Sequence, residues 1–133
     1  MPNATADNAA ALWVALHLLL LLVLSALVVR LRQKHKVALG DDGVPELAQA
    51  IRAFGNATEY IPAGLAALIV LALVEPRPLP VHVVGLTLFA GRLTHAVGLS
   101  TSGGASIARA AGILLTWLAY VFAIAALLFY AIA

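Results

Sequence analysis

Apolar residues run almost unbroken from about Ala10 to Val29, again from Ile61 to Val74, from Leu79 to Leu99 and from Ile107 to Ala133. Crossing a bilayer as α-helix takes about 17 to 25 such residues, so the pattern predicts spans within helices at about 10–32, 45–75, 79–99 and 106–132. The second helix begins well before its apolar run, because Pro45 suits a first helical turn and Glu46 complements the dipole there. Roughly 30 residues make it ~45 Å long. The hydrocarbon layer is ~30 Å thick, so its first turns stand in or above the headgroups. Gly40 and Gly43, the prolines at 76, 78 and 80, and Gly103 with Gly104 punctuate the connections. Period-two alternation is absent throughout, which argues against a β-barrel. The expected fold is an all-α integral membrane four-helix bundle of up-down topology, one domain over residues 1–133.

Composition agrees. Of 133 residues 63% are hydrophobic and only 11% charged, with a mean hydropathy of +1.02, far from soluble domains of this size. Residues 1 to 11 carry no Lys or Arg, and no convincing cleavage site follows the first apolar run. That run therefore reads as a permanent helix and not a signal peptide. Four of the eight Lys and Arg residues crowd into Arg30, Arg32, Lys34 and Lys36. The positive-inside rule places the loop at 30–45 in the cytoplasm and both termini outside. With no cysteine in the chain, any thiol chemistry needs a thiol from elsewhere. No phosphate loop, nucleophile elbow or metal-ligand spacing occurs, and nothing points to nucleic acid.

Charge then changes the picture at one depth. In "RAFGNATEYIP", Arg52, Asn56 and Glu59 are spaced i, i+4, i+7 and share a helix face, with Tyr60 beside Glu59 and Pro62 one turn further. The expected topology brings Arg30 on helix one, Arg92 and His95 on helix three, and Arg109 on helix four to the same inner layer. The outer half holds little that ionises beyond His17 and His82. A channel would need polar groups through the full thickness. Ionisable groups inside a membrane are functional candidates, yet each has a plainer reading. Arg52 can snorkel to headgroups, and Glu59 can form a register-fixing pair with Arg52 or Arg92. Asn56 can bond across helices, and His95 can be a packing residue. His17 and His82 read as structural, and Trp13, Trp117, Tyr120 and Tyr130 as ordinary core or interface aromatics.

The motif Arg52-x3-Asn56-x2-Glu59-Tyr60-x-Pro62 resembles the MAPEG family, the membrane-associated proteins of eicosanoid and glutathione metabolism. So do "HKVALGDDGVPELAQAIR" before it and "GRLTHAVGL" in helix three, which look like the bacterial branch. The resemblance implies a homotrimer of four-helix subunits in a bacterial inner membrane, binding glutathione or another low-molecular-weight thiol between neighbouring subunits. It implies cofactor-binding roles for Arg52, Asn56, Glu59, Tyr60 and His95, with Arg30 contributed from the adjacent subunit. Arg109, or Arg92, would stabilise the thiolate. The implied activity is a glutathione-dependent transferase or peroxidase acting on lipophilic electrophiles or hydroperoxides delivered by membrane lipid. Leu99 stands where characterised eukaryotic enzymes carry a tyrosine, and Arg109 is offset from their helix-four arginine. The competing reading is a non-enzymatic trimer whose polar layer is structural.

Overall fold

Four apolar runs become four long helices in the computed structural model, which describes residues 5–132. They are α1 (Ala6–His35), α2 (Pro45–Val74), α3 (Pro78–Thr101) and α4 (Ile107–Ile132). Each is long and apolar enough to cross a membrane. Short connections make successive helices antiparallel. Pro45 and Pro78 sit in the first turns of α2 and α3, where a missing N–H costs nothing and the fixed φ is already helical. The polar residues of the basic run do not end α1, which continues to His35 and closes on Lys36 in a left-handed conformation.

Glu46, at the start of α2, accepts from Lys34 Nζ at 2.7 Å and also meets His35 Nε2. This pins the basic end of α1 to α2 and neutralises part of its charge. At the opposite end, the α2–α3 turn folds around a buried acid. Arg77 donates to the Glu75 carboxylate from its backbone N–H, Nε and Nη2, each at 2.9 Å. That explains how a carboxylate with 1% exposure is tolerated there.

The helices α2 and α3 form the central pair. Both α1 and α4 pack on them, with no close backbone approach to each other among the described residues. The core lies along these seams in three groups. Trp13, Leu68, Leu71, Val81 and Ala123 fill the end distant from the basic loop. Leu20, Ala57, Ile61 and Ala96 fill the middle, and Leu31, Val37, Leu47 and Ala50 the basic-loop end. Leu22, Leu73, Leu86 and Phe129 point outward, as expected of lipid-facing surface.

The α3–α4 seam is the tightest. A Cβ on Gly112 would lie 2.5 Å from the His95 backbone nitrogen, and one on Gly91 2.8 Å from that of Thr116. Only glycine lets the backbones meet so closely, the usual device where helices pack without a hydrophobic driving force. That approach sets the geometry of the polar layer.

Candidate functional site

On α2, the spacing of Arg52, Asn56 and Glu59 does put them along one face. Glu59 Oε1 is 3.8 Å from Arg52 Nη1, and its Oε2 accepts from Asn56 Nδ2 at 3.4 Å. Arg52 and Glu59 are exposed and Asn56 half-buried. An exposed ion pair of this length contributes at most about 1 kcal/mol, so neither group is consumed by the other.

Arg92 is different. It is 1% exposed, and its Nε donates to Thr116 Oγ1 at 2.8 Å while Nη1 donates to Asn56 Oδ1 at 2.7 Å. Its guanidinium carbon lies 4.8 Å from the centre of the Tyr60 ring, a cation–π distance. Nη2 is buried without a partner. Arg92 therefore ties α2, α3 and α4 together from inside, and the carboxylate of Glu59 stays outside.

On α4, Arg109 holds the carbonyl of Gly104 with Nη1, and its own carbonyl lies 2.8 Å from His95 Nδ1. A carbonyl only accepts, so Nδ1 carries a proton and donates this bond, which leaves Nε2 free to face the hollow. Close packing of Gly112 against His95 makes that bond reachable.

Two hollows open between α2 and α4 at the basic-loop end, and Arg109 borders both. One, of about 290 Å³, is lined by Gln49, Arg52, Leu99, Ser102, Gly103 and Arg109, among others. The other, of about 410 Å³, is lined by Asn56, Tyr60, His95, Ser106, Arg109 and Ile113, among others. The second falls within the range of small-molecule sites, roughly 300 to 1,000 Å³, and the first lies at its lower edge. Asn56, Tyr60, His95, Arg52 and Arg109 thus border one divided cleft. Glu59 borders neither hollow, and Arg92 stands behind Asn56 and Tyr60. Arg30 is exposed on α1 and lines neither hollow.

Three residues of this layer were not singled out from sequence as part of it. Thr116 anchors Arg92, Tyr120 donates its hydroxyl to the Tyr60 carbonyl at 2.6 Å, and Gln49 sits three residues before Arg52. With its amide turned to satisfy both neighbours, Gln49 donates to the Ser100 carbonyl and accepts from Gly103 N–H, each at 3.2 Å. Arg109, Thr116 and Tyr120 are spaced i, i+7, i+11, a helical face that could have been read from sequence. Tyr120 is accordingly more than an ordinary aromatic. The two histidines of the far half are held as structural groups. His17 is fully buried with Nδ1 on the Trp13 carbonyl at 2.6 Å, and His82 Nδ1 accepts from Trp13 Nε1 at 3.1 Å.

Four membrane-length helices, with a polar, cation-rich cleft at one end, define an integral membrane protein with no separate soluble domain among the described residues. The chain belongs to the MAPEG family, whose pattern it matches over residues 10–129. It is similar to "Inner membrane protein YecN" of Escherichia coli K12, 44% identical over 88 residues, covering 66% of this chain and 67% of that protein. The protein of the same name from Escherichia coli O6:H1 matches equally.

Proposed function

We propose that this protein is a glutathione-dependent transferase or peroxidase acting on lipophilic electrophiles or hydroperoxides, a homotrimer in the bacterial inner membrane. In this reading the basic loop faces the cytoplasm and the termini face outward. The observation that carries it is the divided cleft meeting at Arg109, open at the end of the bundle where water-soluble thiols arrive and flanked by lipid that delivers apolar substrate.

The residues suit such a ligand. Glutathione presents two carboxylates and one ammonium, which call for cations and an acid. Arg52 and Arg109 line the cleft, and Glu59 lies exposed beside Arg52. A bound thiol supplies the nucleophilic sulfur that the cysteine-free chain lacks. Arg109 stabilises the anionic form of that sulfur, since a neighbouring guanidinium lowers a thiol's pKa. Asn56, oriented by Arg92, and Tyr60, fixed by Tyr120, position the peptide backbone, and His95 Nε2 accepts a proton or hydrogen bond. Arg92 acts through Asn56 and not by contact. Arg30, which lines neither of this chain's own hollows, serves the neighbouring subunit's.

The test is a thermal-stability titration of the purified protein in detergent with a panel of low-molecular-weight thiols, where a specific binder raises the transition by linkage. Glutathione or a close analogue should shift it, and Arg52→Ala should weaken binding tenfold or more, as for a charge-assisted contact of about 1.5 to 3 kcal/mol. If no thiol shifts the transition while Arg92→Ala still lowers it, the polar layer is structural and the protein is not such an enzyme. The sealed contacts of Arg92 are the observation that favours that second reading.

A further inference from the structure

A third hollow lies on the opposite flank, where α1 runs into its connection to α2. It measures about 310 Å³ and is lined by Val29, Arg32, Gln33, Lys36, Val37 and Ala38. Apolar surface from Val29, Val37 and Ala38 there sits beside the donors of Arg32, Gln33 and Lys36. The continuous apolar run of α1 ends at Val29, so the hollow straddles the boundary between hydrocarbon and headgroups. Leu39, just beyond, is 89% exposed.

The charges of this hairpin divide into spent and unspent. Lys34 and His35 both go to Glu46. The side chain of Asp41 turns to the Gly43 N–H at 2.9 Å. Arg32 uses one donor on the Gly40 carbonyl at 2.8 Å, which leaves most of its five N–H groups for a ligand. Lys36 takes part in no ion pair among the described residues. Lys36 also occupies the left-handed position that ends α1, with φ 58° and ψ 36°. Glycine is the ordinary occupant of such a position, and a strained non-glycine residue points to a use for its side chain.

We propose that this hollow binds an anionic phospholipid, its phosphate held between Arg32 and Lys36 and an acyl chain lying against Val29. Cations immediately beyond a span attract anionic lipid, and a guanidinium with an ammonium suits phosphate oxygens. The apolar half of the hollow fits a lipid chain, for which a free phosphate has no counterpart. The site is independent of the cleft at Arg109.

The protein in zwitterionic nanodiscs is titrated with phosphatidylglycerol or with additional phosphatidylcholine, and bound lipid is followed by native mass spectrometry alongside the melting temperature. Phosphatidylglycerol should bind at one tight site per chain and raise the transition, whereas phosphatidylcholine should do neither. Arg32→Gln and Lys36→Gln should each weaken binding about fivefold or more, and Lys34→Gln should leave it unchanged. Lys36→Gly separates binding from folding: it should lose the lipid while its melting temperature in lipid-free detergent stays level or rises. The proposal is overturned if both lipids bind alike, if Lys34→Gln loses as much as Lys36→Gln, or if Lys36→Gly retains full affinity. Binding of glycerol phosphate as tight as that of the lipid would overturn it too, by making the ligand a soluble phosphate.

Discussion

Adding one methyl group at Gly112 tests the geometry on which the cleft depends. In Gly112→Ala the new Cβ would lie 2.5, 2.6 and 2.7 Å from the nitrogen, Cβ and Cα of His95. Carbon contacts are comfortable at about 3.5 to 4.0 Å, so the shortfall is roughly 1 Å. Two of the three opposing atoms are backbone, and no side-chain rotation relieves the clash. The helices α3 and α4 must separate. Overpacking of this kind costs about 1 to 3 kcal/mol. Separation also strains the Arg92–Thr116 and His95–Arg109 hydrogen bonds, both 2.8 Å long. At about 0.6 kcal/mol for each interhelical bond in a membrane protein, and less the roughly 0.5 to 1 kcal/mol by which a mid-helix alanine improves on glycine, the net destabilisation is about 1.5 to 3.5 kcal/mol. Gly55→Ala is the control, because a Cβ there meets nothing within 4 Å and a mid-helix alanine gains about 0.5 to 1 kcal/mol over glycine. Equilibrium unfolding in mixed detergent micelles, followed by far-UV circular dichroism, gives both values. A Gly112→Ala protein within about 0.5 kcal/mol of the parent, or as stable as Gly55→Ala, would refute the close α3–α4 approach.

Three further outcomes follow from the opposite half of the bundle. Hydrogen bonds from Arg77 hold the Glu75 carboxyl below its ordinary range, so its contribution is complete above the unfolded value of about 4.3 and is lost as pH falls through the lower folded value. The melting temperature should hold from neutral pH down to about 5 and drop below about 4. Glu75→Gln should start lower and drop less, and superimposable acid limbs would contradict this. Trp13→Ala should cost about 3 kcal/mol or more, because the ring fills the space over Gly85 and bonds His82. His17→Leu should stay within about 1.5 kcal/mol of the parent, since losing its bond to Trp13 is offset by removing a buried nitrogen that has no partner. Comparable losses for the two variants, measured by the same unfolding method, would reverse that assignment.

Hydropathy made the four helices legible because the bilayer imposes a length that few other folds require. Depth was legible for the same reason, since a residue's distance from the end of a span fixes its level. Azimuth was not. Arg92 and His95 are three residues apart on α3, so sequence gives them one face. The seam with α4 nevertheless seals Arg92 between Asn56, Thr116 and Tyr60 and leaves His95 bordering a hollow. Which side of a shared face meets lipid, cleft or neighbour depends on how closely two backbones approach, and that is set by Gly91 and Gly112 on different helices. Tyr120 reads from sequence as an ordinary aromatic because an aromatic in a span is usually packing. Its use of the Tyr60 carbonyl is a long-range pairing that no local pattern encodes.

The sealed position of Arg92 also accounts for the crowd of hydrogen-bonding groups at the mouth of α2. A buried guanidinium needs compensation, and a carboxylate in direct contact would be the obvious means. Glu59 is instead kept one group away, because Arg92 Nη1 donates to Asn56 Oδ1 while Asn56 Nδ2 points to Glu59 Oε2. The amide links cation and anion across the wall of the bundle, leaving the positive group inside and the negative group on the exposed face. Because Arg92 can only donate and an ionised Glu59 can only accept, the amide has one satisfied orientation. Asn56 therefore borders the hollow with its amide held in one orientation. Thr116 and the Tyr60 ring hold Arg92 in place, so removing any one of the four should loosen the others. A layer built only to fix helix register could have paired Arg92 directly with an acid and left the α2–α4 cleft closed. This one spends its buried contacts on holding Asn56 and Tyr60 at the edge of an open hollow beside Arg109, so the burial of Arg92 shapes the rim of that hollow as well as the register of the helices.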